Sequence, residues 1–578
     1  MSEKRWPQLS IPEAHALLTA PGAPFEIQEE VIRGISTRVW KNTPATLRDI
    51  FINGMRFKDR EFLVYENDRI TFDSFARASL TLTYRLLADG VRKGDRVAII
   101  MRNLPEWPVA FWAGQLVGAI VTPLNSWWAG AELAYALEDS GSKVAIVDSE
   151  RLGRLSEHIA TLPTLEKVWA TRLDHISDQP KVCHLENVIG PVSGWSDLQA
   201  LPLPAIPLAA EDDATILYTS GTTGKPKGAL GTHRNMTSNI AAGGFASARN
   251  LVRFGEQLPD TDPLQISQQV RLLAVPMFHA TGLSATLSPA LNFGVKLVLM
   301  QRWDAEAAMR LIERERINQT GGVPTIAWQL IEHPARERHD LSSLTMMTYG
   351  GAPPAPQLVR RITEAFPGAA ACTGWGMTET TGTFTNHLAR DYETHPDSAG
   401  PALPVGEMEI RDPANAARKL ALGDVGELWV KGPQVVKSYW NKPEASAETF
   451  RNGWLRTGDL ARIDEEGFLY IVDRAKDMLI RGGENIYCVE VENVLYEHPD
   501  VIDAALIGIP HRTLGEEPAA VVHLRAGATA TEADLRECVR SRLAGFKVPV
   551  RIAFWAQTLP RNANGKIVKS ELRQVFPS

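Results

Sequence analysis

The constraint that most narrows the fold is an alternation that occurs twice along the chain. From Arg96 onward, short β-rich runs trade places with helix-length segments: Arg96–Met101, a helical stretch at Trp107–Val117, Ile120–Thr122, another helical stretch at Ala131–Leu137, then Lys143–Val147. Strands separated by such helices run parallel, and the helices cover the sheet faces. The alternation returns at Leu272–Val275, Val295–Leu299, the amphipathic segment Asp304–Arg316 and Leu344–Tyr349, so two wound α/β layers are expected. The most apolar stretch, Trp107 to Ala131, carries no charge, but Pro108, Pro123, Asn125 and Gly130 interrupt it. It reads as a buried helix followed by a strand, not as a membrane span.

A chain of 578 residues exceeds the usual size of one domain. Residues 150–210 are rich in proline and polar residues and predict irregular surface structure; 243–270 read as a loop insertion. After Gly426 the texture changes to short strands, Glu427–Val430 and Phe468–Val472, which suggest a small barrel-like part. A boundary is expected near Asp473-Arg474-Ala475-Lys476-Asp477, giving a large domain over 1–474 and a small mobile α+β domain over 475–578. The formal net charge of −7 leaves no basic footprint for nucleic acid. Cys183, Cys372, Cys488 and Cys538 lie too far apart for a zinc or disulfide framework, and neither terminus carries a targeting signal, so a cytoplasmic location is expected.

The chemistry begins at Tyr218-Thr219-Ser220-Gly221-Thr222-Thr223-Gly224-Lys225-Pro226-Lys227-Gly228, directly after the apolar run Ala214–Leu217 and ahead of a helix-competent segment. Glycines let a backbone approach an anion, hydroxyls donate hydrogen bonds and lysines supply charge. This is not a Walker A loop, since Pro226 follows Lys225 and Gly221 sits too close to it. The plainer alternative is a flexible linker, but linkers do not usually carry two lysines around a proline after a buried-type strand.

These eleven residues resemble the signature loop of the acyl-adenylate-forming superfamily, which includes acyl-CoA synthetases, carrier-loading adenylation domains and luciferases. The resemblance implies that a carboxylic acid is activated by ATP to acyl-AMP and pyrophosphate, and that a thiol then displaces AMP. It assigns Thr219, Ser220, Gly221, Thr222, Thr223, Gly224 and Lys225 to the phosphates. Thr373-Gly374-Trp375-Gly376-Met377-Thr378-Glu379 resembles the aromatic-Gly-x-Thr-Glu motif of the same family. Glu379 and Thr219 would hold Mg²⁺, Thr378 the α-phosphate, and Trp375 would offer a flat face to adenine.

The remaining motifs follow in family order. Gly350, Gly351, Ala352 and Pro353 resemble the adenine-binding turn, and Asp459 with Arg474 the ribose-binding pair. Lys476 matches the hinge, Gly482-Gly483-Glu484 the loop that serves thioester formation, and Lys566 the catalytic lysine of adenylation. His279 resembles a position beside the substrate carboxylate, with a core histidine as the alternative. Gly376 stands where acetate-type members carry tryptophan, so its glycine suggests an open acyl pocket. The resulting expectation is an acyl-CoA synthetase using ATP, Mg²⁺ and CoA on a medium- or long-chain fatty acid, with aryl and steroid-type acids also open and homodimerisation undecided. A carrier-loading adenylation enzyme and a catalytically silent protein on the same fold are the rivals.

Overall fold

The computed structural model describes residues 7–175, 177–219, 225–259, 262–351, 357–475, 477–482, 484–562 and 565–576. Among these, the first sheet has eight strands. Its parallel part runs from Asp213–Tyr218 through Ile120–Pro123, Arg96–Ile100, Val144–Asp148 and Lys167–Thr171 to Val182–His184. Gly228–Thr232 and Ser438–Tyr439 extend it antiparallel at one edge. The second sheet also has eight strands, parallel from Ala370–Thr373 through Met346–Tyr349, Gln319–Gly322, Val270–Leu273 and Lys296–Leu299 to Glu61–Tyr65.

Helices Leu47–Gly54, Phe72–Ala88 and Glu106–Val117 share one apolar cluster with both sheets, so they form a layer between them. Every residue of Glu106–Val117 is buried: Glu106 pairs with Arg172 at 3.0 Å, and the rest of the helix carries no charge. The outer faces are covered by Gly130–Ser140 and Ser149–Leu155 on the first sheet and by Ala305–Glu315, Pro324–Glu332 and Gln357–Ala365 on the second. Parallel strands buried on both faces read as continuous apolar runs, and Val97–Ile100 and Val144–Val147 do so.

Two expectations are corrected. The 150–210 region contributes the edge strands Lys167–Thr171 and Val182–His184 to the first sheet; they are too short to show through the prolines around them. The 243–270 region is no loop insertion at its start, because Ala242–Arg253 is a helix. Its buried face carries Arg249, Asn250 and Arg253, which hides the apolar periodicity. The expected barrel-like part is an antiparallel sheet that runs from Gly400–Pro401 to Asn415–Lys419.

The chain after residue 475 builds a smaller α+β unit on Leu479–Arg481, Glu484–Ile486, Val501–His511, Gly515–Leu524 and Arg551–Phe554. Helices Cys488–Tyr496 and Glu532–Arg540 pack on one of its faces.

Asp391 faces two buried guanidinium groups, with Arg253 Nε 3.1 Å from one carboxylate oxygen and Arg249 Nε 3.8 Å from the other. Replacing it removes the one acid of a buried triad. Asp391→Asn is expected to cost about 3 kcal/mol or more in denaturant unfolding, the scale for breaking a buried ion pair on one side. A loss under about 1 kcal/mol would show that the arginines are compensated elsewhere.

Candidate active site

Three of the motif segments, at His279, Gly350 and Trp375, lie where parallel strands of the second sheet end, the usual ligand edge of an open α/β sheet. Val270–Leu273 leads to His279, Met346–Tyr349 to Gly350 and Gly351, and Ala370–Thr373 to Trp375. Cross-links fix these ends: Gly350 N–H donates to Gly322 O at 2.9 Å, and Thr373 Oγ1 donates to Tyr349 O at 3.0 Å. His279 starts a short helical turn, its N–H donating to Pro276 O at 3.2 Å and its ring lying 4.3 Å from that of Phe278.

The loop after Tyr218 leaves one antiparallel strand and re-enters the next, with Thr219 N–H donating to Lys227 O at 2.9 Å. The expected helix begins only at His233, beyond the Gly228–Thr232 strand, so no helix N-terminus opens directly onto the loop. Lys225 Nζ lies 4.6 Å from the centre of the Tyr135 ring, and Lys227 Nζ lies 4.7 Å from that of Tyr439. Ser220, Gly221, Thr222, Thr223, Gly224, Ala352 and Pro353 fall outside the described residues.

Glu379 sits in the Thr378–Thr380 turn and is buried. Tyr439 donates its hydroxyl to Glu379 Oε1 at 2.7 Å, and Val436 N–H donates to Glu379 O at 2.9 Å. Burial, then the Glu379 charge, push the Tyr439 phenol above its ordinary range, so it stays a donor. Among the described residues no lysine or arginine forms an ion pair with Glu379. A buried carboxyl group without a basic partner fits a hard cation that takes its other ligands from phosphate. Tyr439 was not singled out from the sequence, because Ser438–Tyr439 is a two-residue strand with no pattern of its own.

Asp459 is buried and already receives two donors, Trp375 Nε1 at 2.8 Å and Arg474 Nε at 3.1 Å. The indole is thereby held by its edge. A carboxylate has about four lone-pair positions, so Asp459 keeps acceptor capacity for a diol.

The Lys566 loop reaches the large domain. Gly565 has φ +72°, and a Cβ built there would lie 2.6 Å from Val323 Cγ1, just past the Gly322 strand end. Asn562 Oδ1 accepts the Lys566 N–H at 3.0 Å and so shapes the turn. Gly482 and Glu484 are placed differently: the Gly482 N–H donates to Leu514 O at 2.8 Å within the small unit, and Glu484 is exposed. Lys476 and Gly483 fall outside the described residues.

Residues 51–440 match the family model described as AMP-binding enzyme, and 490–566 match its C-terminal domain. The chain belongs to the AMP-binding enzymes. A feruloyl-CoA synthase of Amycolatopsis sp is 36% identical over 510 residues, covering 88% of this chain and 94% of that protein. A long-chain-fatty-acid–CoA ligase of Mycobacterium tuberculosis is 34% identical over 500 residues, covering 85% and 90%. The solved O-succinylbenzoate coenzyme A synthetase of Bacillus subtilis, in complex with ATP and magnesium ion, superposes with a TM-score of 0.73 at 31% identity, covering 91% of this chain and 99% of that one. Like its relatives, this AMP-binding enzyme is an acid–thiol ligase of the AMP-forming kind.

Within this AMP-binding enzyme, Gly376 has a reason to be glycine that has nothing to do with acyl length. It pairs with Thr383 in a two-stranded ribbon, and a Cβ there would lie 1.7 Å from Gly382 O. The clash gives Gly376 a second reason to be glycine, beside the open acyl pocket. Gly376→Ala is expected to lower activity about tenfold or more on every acid tried, short or long, since the displaced ribbon precedes Glu379. A loss confined to long acids would favour the pocket reading.

The junction between the two units is polar and buried. Asp473 accepts the N–H of Cys488, the first residue of the Cys488–Tyr496 helix, and the N–H of Arg474. Lys569 pairs with Glu492 at 2.7 Å and acts electrostatically on Asp473. Burial, opposed by Lys569, pushes the Asp473 carboxyl up to about 6. A carboxyl raised on folding binds its proton more tightly in the native state, so its contribution is full below pH 4 and is lost as pH rises through 6. Asp473→Asn is therefore expected to gain stability relative to wild type between pH 4 and 7, read from denaturant midpoints. A flat difference across that range would remove Asp473 from the titrating groups.

Proposed function

We propose that this ligase activates an acyl or aryl carboxylic acid with ATP and passes the acyl group to CoA, and that the gathered motif residues divide the work. A carboxylate oxygen of the acid attacks the α-phosphorus of ATP, and the bond to pyrophosphate breaks. The thiol sulfur of CoA then attacks the acyl carbon, the bond to AMP breaks, and the thiol proton leaves to solvent.

Lys566 is assigned to the charge that develops on the phosphates, as a positioned cation. The observation that carries this reading is the seating of Gly565 on Val323, which brings the lysine loop to the second-sheet edge that also holds Gly350 and Trp375. Glu379 and Thr219 would hold Mg²⁺, which supplies charge neutralisation on the triphosphate when bound. Tyr439 holds Glu379 Oε1 in place for that role. Asp459 takes the ribose, with Trp375 and Arg474 fixing its orientation. Thr378, Gly350 and Gly351 face the nucleotide, and His279 the acid.

The acid is a medium- or long-chain fatty acid or an aryl acid of similar reach. The relatives named for feruloyl-CoA and for long-chain fatty acids support both classes.

Lys566→Ala is expected to slow pyrophosphate release about 10²–10³-fold while thioester formation from preformed acyl-AMP and CoA stays near the wild-type rate. Single-turnover measurement of each half-reaction decides. Equal losses in both would take Lys566 out of the adenylation step.

A further inference from the structure

On the inner face of the second sheet the shared apolar cluster reaches Leu273, Leu297 and Leu299, but it does not include the residues of the neighbouring strands that continue this face. Arg271, Gln319 and Met346 stand opposite one another on adjacent parallel strands, and two residues further on Gly321, Thr348 and Cys372 do the same. Val270, Leu272, Met347, Tyr349 and Ala371, which alternate with them, belong to the apolar cluster on the other face. Thr348 is exposed although its strand is hydrogen-bonded on both sides, and Gln319, Met346 and Arg271 keep accessible surface. The Leu283–Leu287 π-helical turn covers this face, with Arg271 Nη1 donating to Ala285 O at 3.3 Å. Thr281 and Ala285, one helical turn apart, are likewise accessible. The hollow that these accessible positions line runs from Thr348, beside Gly350, to Arg271, about 7 Å along the strands at 3.3 Å per residue and about 10 Å across two strand spacings.

Its inner end is cationic. Arg271 donates through Nε to Gln319 Oε1 at 2.9 Å and through Nη2 to the same oxygen. Among the described residues no acid pairs with it, and burial pulls the guanidinium below its ordinary value with only the Cys372 thiol opposing. Arg249 also acts electrostatically on Cys372, and it shares the single carboxylate of Asp391 with Arg253. A buried guanidinium that bonds only neutral oxygens has unmet demand for an anion, because neutral acceptors do not repay the cost of burying charge.

We infer that Arg271, held by Gln319 at the inner end of this hollow, selects carboxylic acids that carry a second carboxylate at their far end. The inference rests on the ligase reading above and narrows its acid to one whose aliphatic or aryl body ends in a second carboxylate. The far carboxylate takes the two Nη hydrogens that Gln319 and Ala285 leave over, a charge-assisted pairing that a methyl terminus cannot make. A plain fatty acid would instead leave the guanidinium desolvated against hydrocarbon. Sites built around a polar group reject analogues that lack it far more strongly than apolar sites reject analogues of the wrong length.

The test measures pyrophosphate release in the presence of CoA for straight-chain dicarboxylic acids against monocarboxylic acids of equal carbon count, using the full-length enzyme. Wild type is expected to show the higher kcat/KM with the diacid at one chain length. In Arg271→Met the ratio of diacid to monoacid is expected to fall about 10²-fold, as for loss of one partner of a buried charge pair. The wild-type ratio decides by itself if the variant does not fold: equal values for diacid and monoacid overturn the inference. Pyrophosphate release without a diacid preference overturns only the role of Arg271, whereas no release with any acid overturns the ligase reading beneath it.

Discussion

The site depends on the burial of one carboxyl group. Glu379 lies almost out of contact with solvent and, among the described residues, without a basic partner, a placement that costs several kcal/mol unless donors or a cation offset it. Its donor is Tyr439, and Tyr439 does not belong to the second sheet that leads to Glu379. It lies on the outer strand of the first sheet, where Ala229 pairs with Tyr439 and Trp440 N–H donates to Gly228 O at 2.7 Å. Gly228 is also where the loop after Tyr218 returns to the sheet. One hydrogen bond therefore registers the loop of the first sheet against the acid of the second, two parts that the sequence holds 150 residues apart. Lys227, stacked on the Tyr439 ring, is positioned by the same contact.

This arrangement explains what could be read from the sequence and what could not. The wound layers were legible because buried parallel strands must be apolar along their whole length, as Arg96–Ile100 and Val144–Asp148 nearly are. The motifs were legible because their residue types answer to backbone shape: only glycine tolerates the approach of Gly565 to Val323. Gly376 shows the hazard in such reasoning. A required glycine looks the same in sequence whether it makes room for a ligand or for the carbonyl of Gly382. The Ala242–Arg253 helix escaped because arginines occupy its buried face, paired with an aspartate some 140 residues away in sequence. Arg271 and Tyr439 escaped for a related reason: their meaning lies in partners on other strands, Gln319 and Glu379.

The wound sheet also separates the two halves of substrate recognition. On the proposed reading, the nucleotide-facing residues come from loops beyond the strand ends, the usual ligand edge of such a sheet. The acid, on the proposed reading, is read by side chains within the strands, Thr348 and then Arg271, on the face covered by the Leu283–Leu287 turn. Changes along that face can alter which acid is taken without disturbing the loops that hold ATP. This suits a family in which relatives over a third identical are named for acids as different as ferulic and long-chain fatty acids.

The small unit is held by contacts that are few, polar and spread out. Arg525 pairs with Glu332 at 2.6 Å, Gln357 donates to Tyr496 O, Gly565 abuts Val323, and Asp473 accepts from the helix that starts at Cys488. Interfaces of this kind resemble transient ones and permit relative motion. The Asp473 contact differs from the other three because it is buried and lies three residues before Lys476. A rotation about Lys476 that lifted Gly565 from Val323 would also turn the Cys488 N–H away from the Asp473 carboxylate. The turn would have to supply that buried carboxylate with a new donor or water, since leaving it unpaired costs more than any of the exposed contacts. The barrier to such a motion would therefore sit in the solvation of Asp473, and not at the edge where Gly565 meets the large domain.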